Sequence, residues 1–305
     1  MVEYVEVEIG GKRASAHLTN ITFIVGTGKT TFLEILCKII SSIGKNIPKI
    51  SRDVNVFIQA GDVSYGLSLD GKRVRQTISV GGEEVVFEWV PSKSIHRLIK
   101  PIDVSIASAD VIMPTIRTQE HVSIVAEEDL ERLNNLILTA RRRLALDALY
   151  IGPYVDPRSA VDASKLSTKL DRHGRNLAQV LSYLALHKPN SFDAVKTHVK
   201  KLGLSLAVGL AKPGKIGAVL YGKSGKIPLS KAPCSIKMFL TLATALELAP
   251  DILFVENFDY CLTPKTAEAL TPLLRQKKTK VVAEIHREEV AEWIRADKST
   301  IVVDL

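Results

Sequence analysis

Between residues 21 and 33 the chain reads I-T-F-I-V-G-T-G-K-T-T-F-L. A strand-forming run meets Gly26 and Gly28, and Lys29, Thr30 and Thr31 then open an apolar-periodic stretch. A strand, a glycine turn and a helix start in this order suit a phosphate. Amides at a helix N-terminus point at the anion, and the helix dipole adds to the attraction. Gly26, Thr27, Gly28 and Thr31 would line the anion, Lys29 would reach the outer phosphates, and the Thr30 hydroxyl would hold Mg²⁺. The pattern G-x-x-x-x-G-K-[ST] wants its first glycine where this chain has Phe23. The loop is therefore short, and some amides that wrap a β-phosphate are missing.

A second set of residues suits the same chemistry. I-L-F-V-E at 252–256 is a buried-strand pattern that delivers a carboxylate, Glu256, to a metal beside a phosphate loop. The next position, where a base would polarise water, is Asn257, and an amide cannot accept a proton at neutral pH. Asp259 is near in sequence. His286 follows the apolar run V-V-A-E-I, where it could read a γ-phosphate. Gln59 ends another strand pattern and is a further metal candidate. The remaining histidines, His17, His96, His121, His173, His187 and His198, form no ligand spacing.

The elements that must position these groups follow from periodicity. Residues 2–9 and 12–18 alternate around Gly10-Gly11 as a hairpin, and strand pieces from Val54 to Val90 are punctuated by Asp-Gly and Gly-Gly. The stretch 91–114 reads as a mixed connection with a strand at D-V-S-I-A-S. Helices are expected at 126–145, 176–186 and 192–202, a strand at 148–154, and a polar loop at 157–173. After residue 235 helices alternate with apolar strands at 252–255, 281–285 and 300–304, which predicts a parallel sheet with helices outside.

Composition sets the limits. The 305 residues are 46% hydrophobic and 24% charged, which fits a soluble globular chain with ample core. No apolar run approaches the roughly 18 residues that span a membrane, and the acidic, alternating start M-V-E-Y-V-E-V-E-I is a strand and no signal peptide. Cys37, Cys234 and Cys261 lie far apart with no metal-ligand spacing, which suggests a reduced cytoplasm. The net charge of +8 permits nucleic-acid contact. The basic clusters at 141–143 and 275–280 carry no interleaved aromatics, and the first balances the dipole of a helix begun by Glu127, Glu128 and Asp129. S-T-K-L-D at 167–171 is similar to the guanine-reading T-K-x-D of GTPases, but no buried strand precedes it.

The order of motifs adds a resemblance that covers almost the whole chain. The glycine loop, a β-lobe, a helical segment, L-S-K-A-P-C-S-I-K at 229–237, I-L-F-V-E-N and A-E-I-H together resemble the ABC-type ATPase superfamily. A-L-Y-I-G-P-Y at 148–154 and H-G-R-N-L-A-Q-V-L at 173–181 resemble its RecF/SMC-like branch of stand-alone predicted ATPases, often called AAA-type. The resemblance implies an α/β P-loop NTPase fold in one domain, 1–305. It would have a mixed or parallel central sheet with helices outside, a P-loop with an antiparallel β-lobe at 1–100, a mainly helical lobe at 101–205, and a Walker B and histidine-switch half at 206–305. It also implies ATP and Mg²⁺ as cofactors. A nucleotide-dependent head-to-tail homodimer is implied too, in which Ser230 or Ser235 of the signature segment faces the other copy's γ-phosphate. A DNA or DNA-processing protein partner is a weaker implication, from fold and charge. The signature lacks its Gly-Gly pair, since Pro233 and Cys234 occupy the turn. With Phe23 and Asn257 this makes three departures, which together suggest a nucleotide-dependent switch with slow or absent hydrolysis. The alternatives are an active ATP hydrolase and a scaffold that keeps the fold without nucleotide.

Overall fold

The computed structural model describes residues 2–50, 53–93, 95–106, 111–116, 126–164, 166–223, 225–276, 278–294 and 298–305. His121 and parts of the 103–108, 222–225 and 275–280 stretches lie outside the described residues. Along the chain run β1 (Tyr4–Ile9), β2 (Lys12–His17), β3 (Ile21–Thr27), α1 (Lys29–Ser41), β4 (Val54–Ala60), β5 (Val63–Leu69), β6 (Val74–Val80) and β7 (Glu83–Val90). There follow β8 (Ile95–Lys100), β9 (Val104–Ser105), α2 (Glu127–Leu144), β10 (Ala148–Ile151), β11 (Ala160–Asp162), α3 (Leu177–His187) and α4 (Pro189–Lys201). The last third holds β12 (Ser205–Lys212), β13 (Lys215–Gly222), β14 (Gly225–Pro228), α5 (Cys234–Leu248), β15 (Ile252–Val255), α6 (Pro264–Gln276), β16 (Lys280–Glu284), α7 (Glu289–Trp293) and β17 (Lys298–Asp304). Two expectations change. The connection after Pro91 contains strand β8, and the polar loop at 157–173 contains β11, a strand of three residues paired with β13.

The chain divides into two compact units, each discontinuous in sequence. The first comprises 1–18, 26–147 and 301–305. Its frame is an eight-stranded sheet in the order β2-β1-β4-β5-β6-β7-β8-β9, with antiparallel neighbours throughout. Strict alternation of buried and exposed residues along β4 and β5 gives this sheet one apolar face. Helix α1 buries Phe32, Leu33, Ile35, Leu36, Ile39 and Ile40. Its carboxyl end is fixed by reciprocal backbone bonds: Gly44 donates to Ile112 and Ile112 to Lys45, at 3.0 and 2.8 Å.

The segment at 111–116 is itself pinned by a buried glutamine. Gln76 Oε1 accepts from Tyr65 Oη at 2.9 Å and from the Met113 amide at 2.8 Å, while its Nε2 donates to the Val111 carbonyl at 2.9 Å. Burial pushes the Tyr65 hydroxyl well above its usual pKa, so it stays a donor.

The second unit comprises 19–25 and 148–300. Its centre is formed by the parallel strands β10, β15, β16 and β3 of the sheet β10-β15-β16-β3-β17, of which only residues 298–300 of β17 count with this unit. All four residues of β15 are buried, as a strand covered on both faces requires. Phe23 occupies the interior of β3 with no exposed surface and packs on Phe258 with ring centroids 5.8 Å apart. A glycine there would leave a hole in the core, which is the physical reason this chain has no glycine at 23. A smaller sheet, β11-β13-β12 with β14 also on β13, packs against α3.

Gln76→Leu keeps the shape but orphans a hydroxyl, an amide and a carbonyl in the core. It should lower stability by about 2–4 kcal/mol in denaturant unfolding. A loss below about 0.5 kcal/mol would show that the network does not hold this lobe.

Candidate functional site

The glycine loop sits in the first unit. Gly28 is the N-cap of α1 in the left-handed region, at φ 77°, and Phe32 closes the first helical turn by donating to its carbonyl at 2.9 Å. Amides of a first helical turn have no partner within the helix. Lys29, Thr30 and Thr31 are half-buried around it. The glycines also have a packing cause. Gly26 has φ 100°, and a Cβ there would stand 2.1 Å from the Val303 carbonyl oxygen. A Cβ on Gly28 would stand 2.7 Å from the Leu305 side chain. Thr27 Oγ1 donates to Asp304 Oδ1 at 2.6 Å, and the Leu305 amide donates to the Thr27 carbonyl at 3.2 Å. The Thr27 hydrogen bond, then that of Lys12, holds the Asp304 carboxyl below its usual pKa. Gln59, also in this unit, spends its Nε2 on the Gly61 carbonyl of its own hairpin turn, at 3.2 Å.

The second unit carries the acid, the amide and the histidine. Because β3, β15 and β16 are parallel, their carboxyl ends lie along one edge of the sheet, the usual place for ligands in α/β sheets. Glu256 follows β15 with only 8% of its surface exposed. Its amide donates to the Ile151 carbonyl at 3.0 Å. Its Oε2 accepts from Arg172 Nη2 at 2.7 Å and from Tyr150 Oη at 3.1 Å. The Arg172 guanidinium also lies over the Tyr150 ring, 4.7 Å from its centroid. Gly152 makes room for this arginine. Its amide donates to the Arg172 carbonyl at 2.6 Å, and a Cβ at 152 would meet Arg172 Cγ at the same 2.6 Å. The Tyr-Ile-Gly-Pro turn thus serves the acid at 256.

Asn257 and His286 are brought together. Asn257 has φ 50°, and its Oδ1 stands 2.8 Å from His286 Nε2. Glu284 Oε1 stands 3.1 Å from the same nitrogen. Both oxygens are acceptors, so Nε2 carries the hydrogen. Asp259, the sequence candidate for a substitute base, is 2% exposed. Its Oδ2 accepts the amides of His286 and Arg287 at 2.8 and 2.6 Å, so it holds the histidine turn.

The signature segment is a short 3₁₀ turn, Leu229–Lys231, followed by α5. Ser230 is bonded to Ser159, hydroxyl to hydroxyl and by its amide at 3.1 Å. Ser235 is the second residue of α5, whose N-cap Pro233 offers no side-chain bond. The residue before it, Cys234, forms a disulfide with Cys261, with Cα atoms 5.6 Å apart. Two cysteines read as far apart are thus joined, which removes the inference from them to a reducing compartment; Cys37 is in no disulfide. The disulfide joins the start of α5 to the turn that follows Asn257 and Asp259.

Sequence reasoning missed Arg172, the Cys234–Cys261 pair, and the approach of Val303 to Leu305 on the glycine loop. Arg172 and Glu256 are 84 positions apart, and no local pattern links them. No described helix is long and apolar enough to cross a membrane.

No protein-family model and no curated protein sequence matches the chain. Among solved structures, the SMC head domain from Thermotoga maritima aligns over 98% of this chain and 94% of its own, at 12% identity and a TM-score of 0.43. The SMC head bound to the C-winged helix domain of ScpA aligns over 96% and 92%, at 11% identity and 0.47. The Smc head with an extended coiled coil, bound to the C-terminal domain of ScpA derived from Pyrococcus furiosus, aligns over 96% and 91%, at 9% and 0.43. Likeness at this level decides neither family nor activity, which rest on the residues.

Gly26→Ala meets both a backbone oxygen and a disallowed φ, and should cost on the order of 3 kcal/mol or more in denaturant unfolding. Gly81→Ala, with φ 59° and nothing within 4 Å, should cost only about 1 kcal/mol. Equal losses would show that the close approach of Val303 is not what position 26 requires.

Proposed function

We propose that this protein is a nucleotide-binding P-loop protein of ABC-ATPase type, RecF/SMC-like, in which ATP binding acts as a switch and hydrolysis is slow or absent. The observation that carries the reading is the strand β3 running through Gly26-Thr27-Gly28 into a 13-residue helix opened by Lys29-Thr30-Thr31. The sheet that contains β3 supports it, since the adjacent parallel strands end in Glu256 and His286. Lys29 and the first-turn amides hold the phosphates. Thr30 and Glu256 are the metal-side oxygens, and Gln59, whose Nε2 bonds to its own hairpin turn, is a third candidate. His286 reads the γ-phosphate through the ring its Asn257 contact orients.

The donor set fits Mg²⁺ only in part. No three His, Cys, Asp or Glu residues converge among the described residues. Mg²⁺ needs few protein ligands when phosphates and water supply the rest, so a hydroxyl and a carboxylate suffice. Bound there, it would neutralise charge on the phosphate oxygens. The chain's own residues explain slow turnover. Position 257 offers an amide, Asp259 is committed to two backbone amides, and the Nε2 hydrogen of His286 points at Asn257 and Glu284. The signature offers no Gly-Gly amides to a second copy, and Ser230 is bonded to Ser159. Homodimerisation on ATP through Ser235, and a DNA or DNA-processing partner suggested by the +8 charge, complete the proposal.

One observation favours a second reading, a scaffold without nucleotide. Val303 and Leu305 fill the space beside Gly26 and Gly28, so packing alone accounts for both glycines. Thermal denaturation with ATP decides between the two. ATP should raise the melting temperature of the wild type and leave Lys29→Ala unmoved; equal shifts, or none in either, would remove nucleotide from this loop. Turnover assays separate switch from hydrolase. Asn257→Glu restores a carboxylate and should raise ATP hydrolysis at least about tenfold, within the usual range for a positioned base. Brisk wild-type turnover would sink the switch.

A further inference from the structure

We propose that Arg172 is a built-in counter-cation for Glu256, and that a divalent metal reaches this carboxylate only by displacing the arginine. The consequence for nucleotide binding rests on the reading above; the contact itself does not. Glu256 is almost buried, and a carboxylate in that position must be neutralised. Arg172 does this at 2.7 Å, with Tyr150 donating to the same oxygen at 3.1 Å. These are the bonds that orient the acid. The two partners differ in freedom. The Glu256 side chain is 10% exposed and fixed behind β15, whereas that of Arg172 is 44% exposed and can swing into water. Arg172 is therefore the movable member.

A guanidinium and a Mg²⁺ compete for one carboxylate because each supplies the charge that makes its burial tolerable. With Arg172 in place Glu256 needs no metal. The wild-type acid should accordingly bind divalent cations weakly when nucleotide is absent, and metal should add little to ATP binding. This makes Arg172 a positioning residue that sets the metal dependence of the site, and it gives the chain a metal-poor resting state that Glu256 alone would not have.

Mn²⁺ is the probe, because the loss of its free electron-paramagnetic signal counts bound ions without any turnover. Without nucleotide, Arg172→Gln should bind Mn²⁺ at least about tenfold more tightly than the wild type, equivalent to about 1.4 kcal/mol. Its melting temperature should be lower than wild type in chelator and recover with Mn²⁺. The double variant Arg172→Gln/Glu256→Gln should lose both the binding and the recovery. Tyr150→Phe leaves Arg172 in place and should gain no affinity. If Arg172→Gln does not fold, Arg172→Lys keeps a charge but loses the fork, and should show a smaller gain in the same direction. Equal Mn²⁺ affinity in wild type and the folded arginine variant, or a gain that survives removal of Glu256, would overturn the proposal. Adding ATP keeps the two ideas apart. If no form responds to ATP but the Mn²⁺ result holds, the nucleotide reading fails and the role of Arg172 stands.

Discussion

Buried carboxylates cannot be left bare, and three of them stand at the carboxyl edge of the parallel sheet. Glu256, Asp259 and Glu284 are each less than a tenth exposed. In a medium that solvates charge poorly, each must find donors or neutralise. Much of the local structure follows from where those donors come from. Glu256 draws Arg172 and Tyr150 across the sheet edge, and Gly152 has no side chain because Arg172 lies over it. Asp259 takes the two amides at 286 and 287, which fixes the turn after β16. Glu284 faces the His286 ring. The acids thus organise a chain of contacts reaching from the turn after β10 to the turn after β16.

This arrangement separates holding from reacting. A carboxylate that acts as a base must be able to take a proton from water, which needs access and a spare lone pair. Asp259 lacks the access, since it is 2% exposed and its Oδ2 already accepts two amides. Position 257, which is half-buried, carries an amide. What remains is a held geometry: the histidine ring is oriented by Asn257, its backbone is anchored by Asp259, and the disulfide fastens the turn after β15 to the start of α5.

Most elements were legible in the sequence because their signals are local. Asp-Gly and Gly-Gly turns bound the strands of the antiparallel sheet, and alternation gave their buried faces. The succession of helix and apolar strand in the last third gave the parallel order. The failures share one cause, which is dependence on a distant partner. β8 follows a proline and pairs with β7 across a register shift at 86–87, and β11 is a strand only because β13 lies beside it. Arg172 has meaning only through Glu256, and Cys234 only through Cys261. That 301–305 belong with the first unit is likewise written in no local pattern.

The glycines at 26 and 28 show why a motif must be weighed against packing. Read in sequence, they are places where backbone approaches a phosphate. In the fold they are also places where backbone approaches backbone, with Val303 and Leu305 as the neighbours. The two causes make different demands. A close strand requires no Cβ and a positive φ, whereas an anion requires unpaired amides at the helix start and a cation beside them. The contacts of Val303 and Leu305 account for both glycines and do not bear on Lys29, Thr30 and Thr31. A lysine and two threonines at the first turn of a helix give that helix neither an N-terminal acid nor a side-chain cap, and both would have stabilised it. The proposed nucleotide reading would account for a positive charge at the positive end of the dipole, and it rests on these three residues together with the glycines before them.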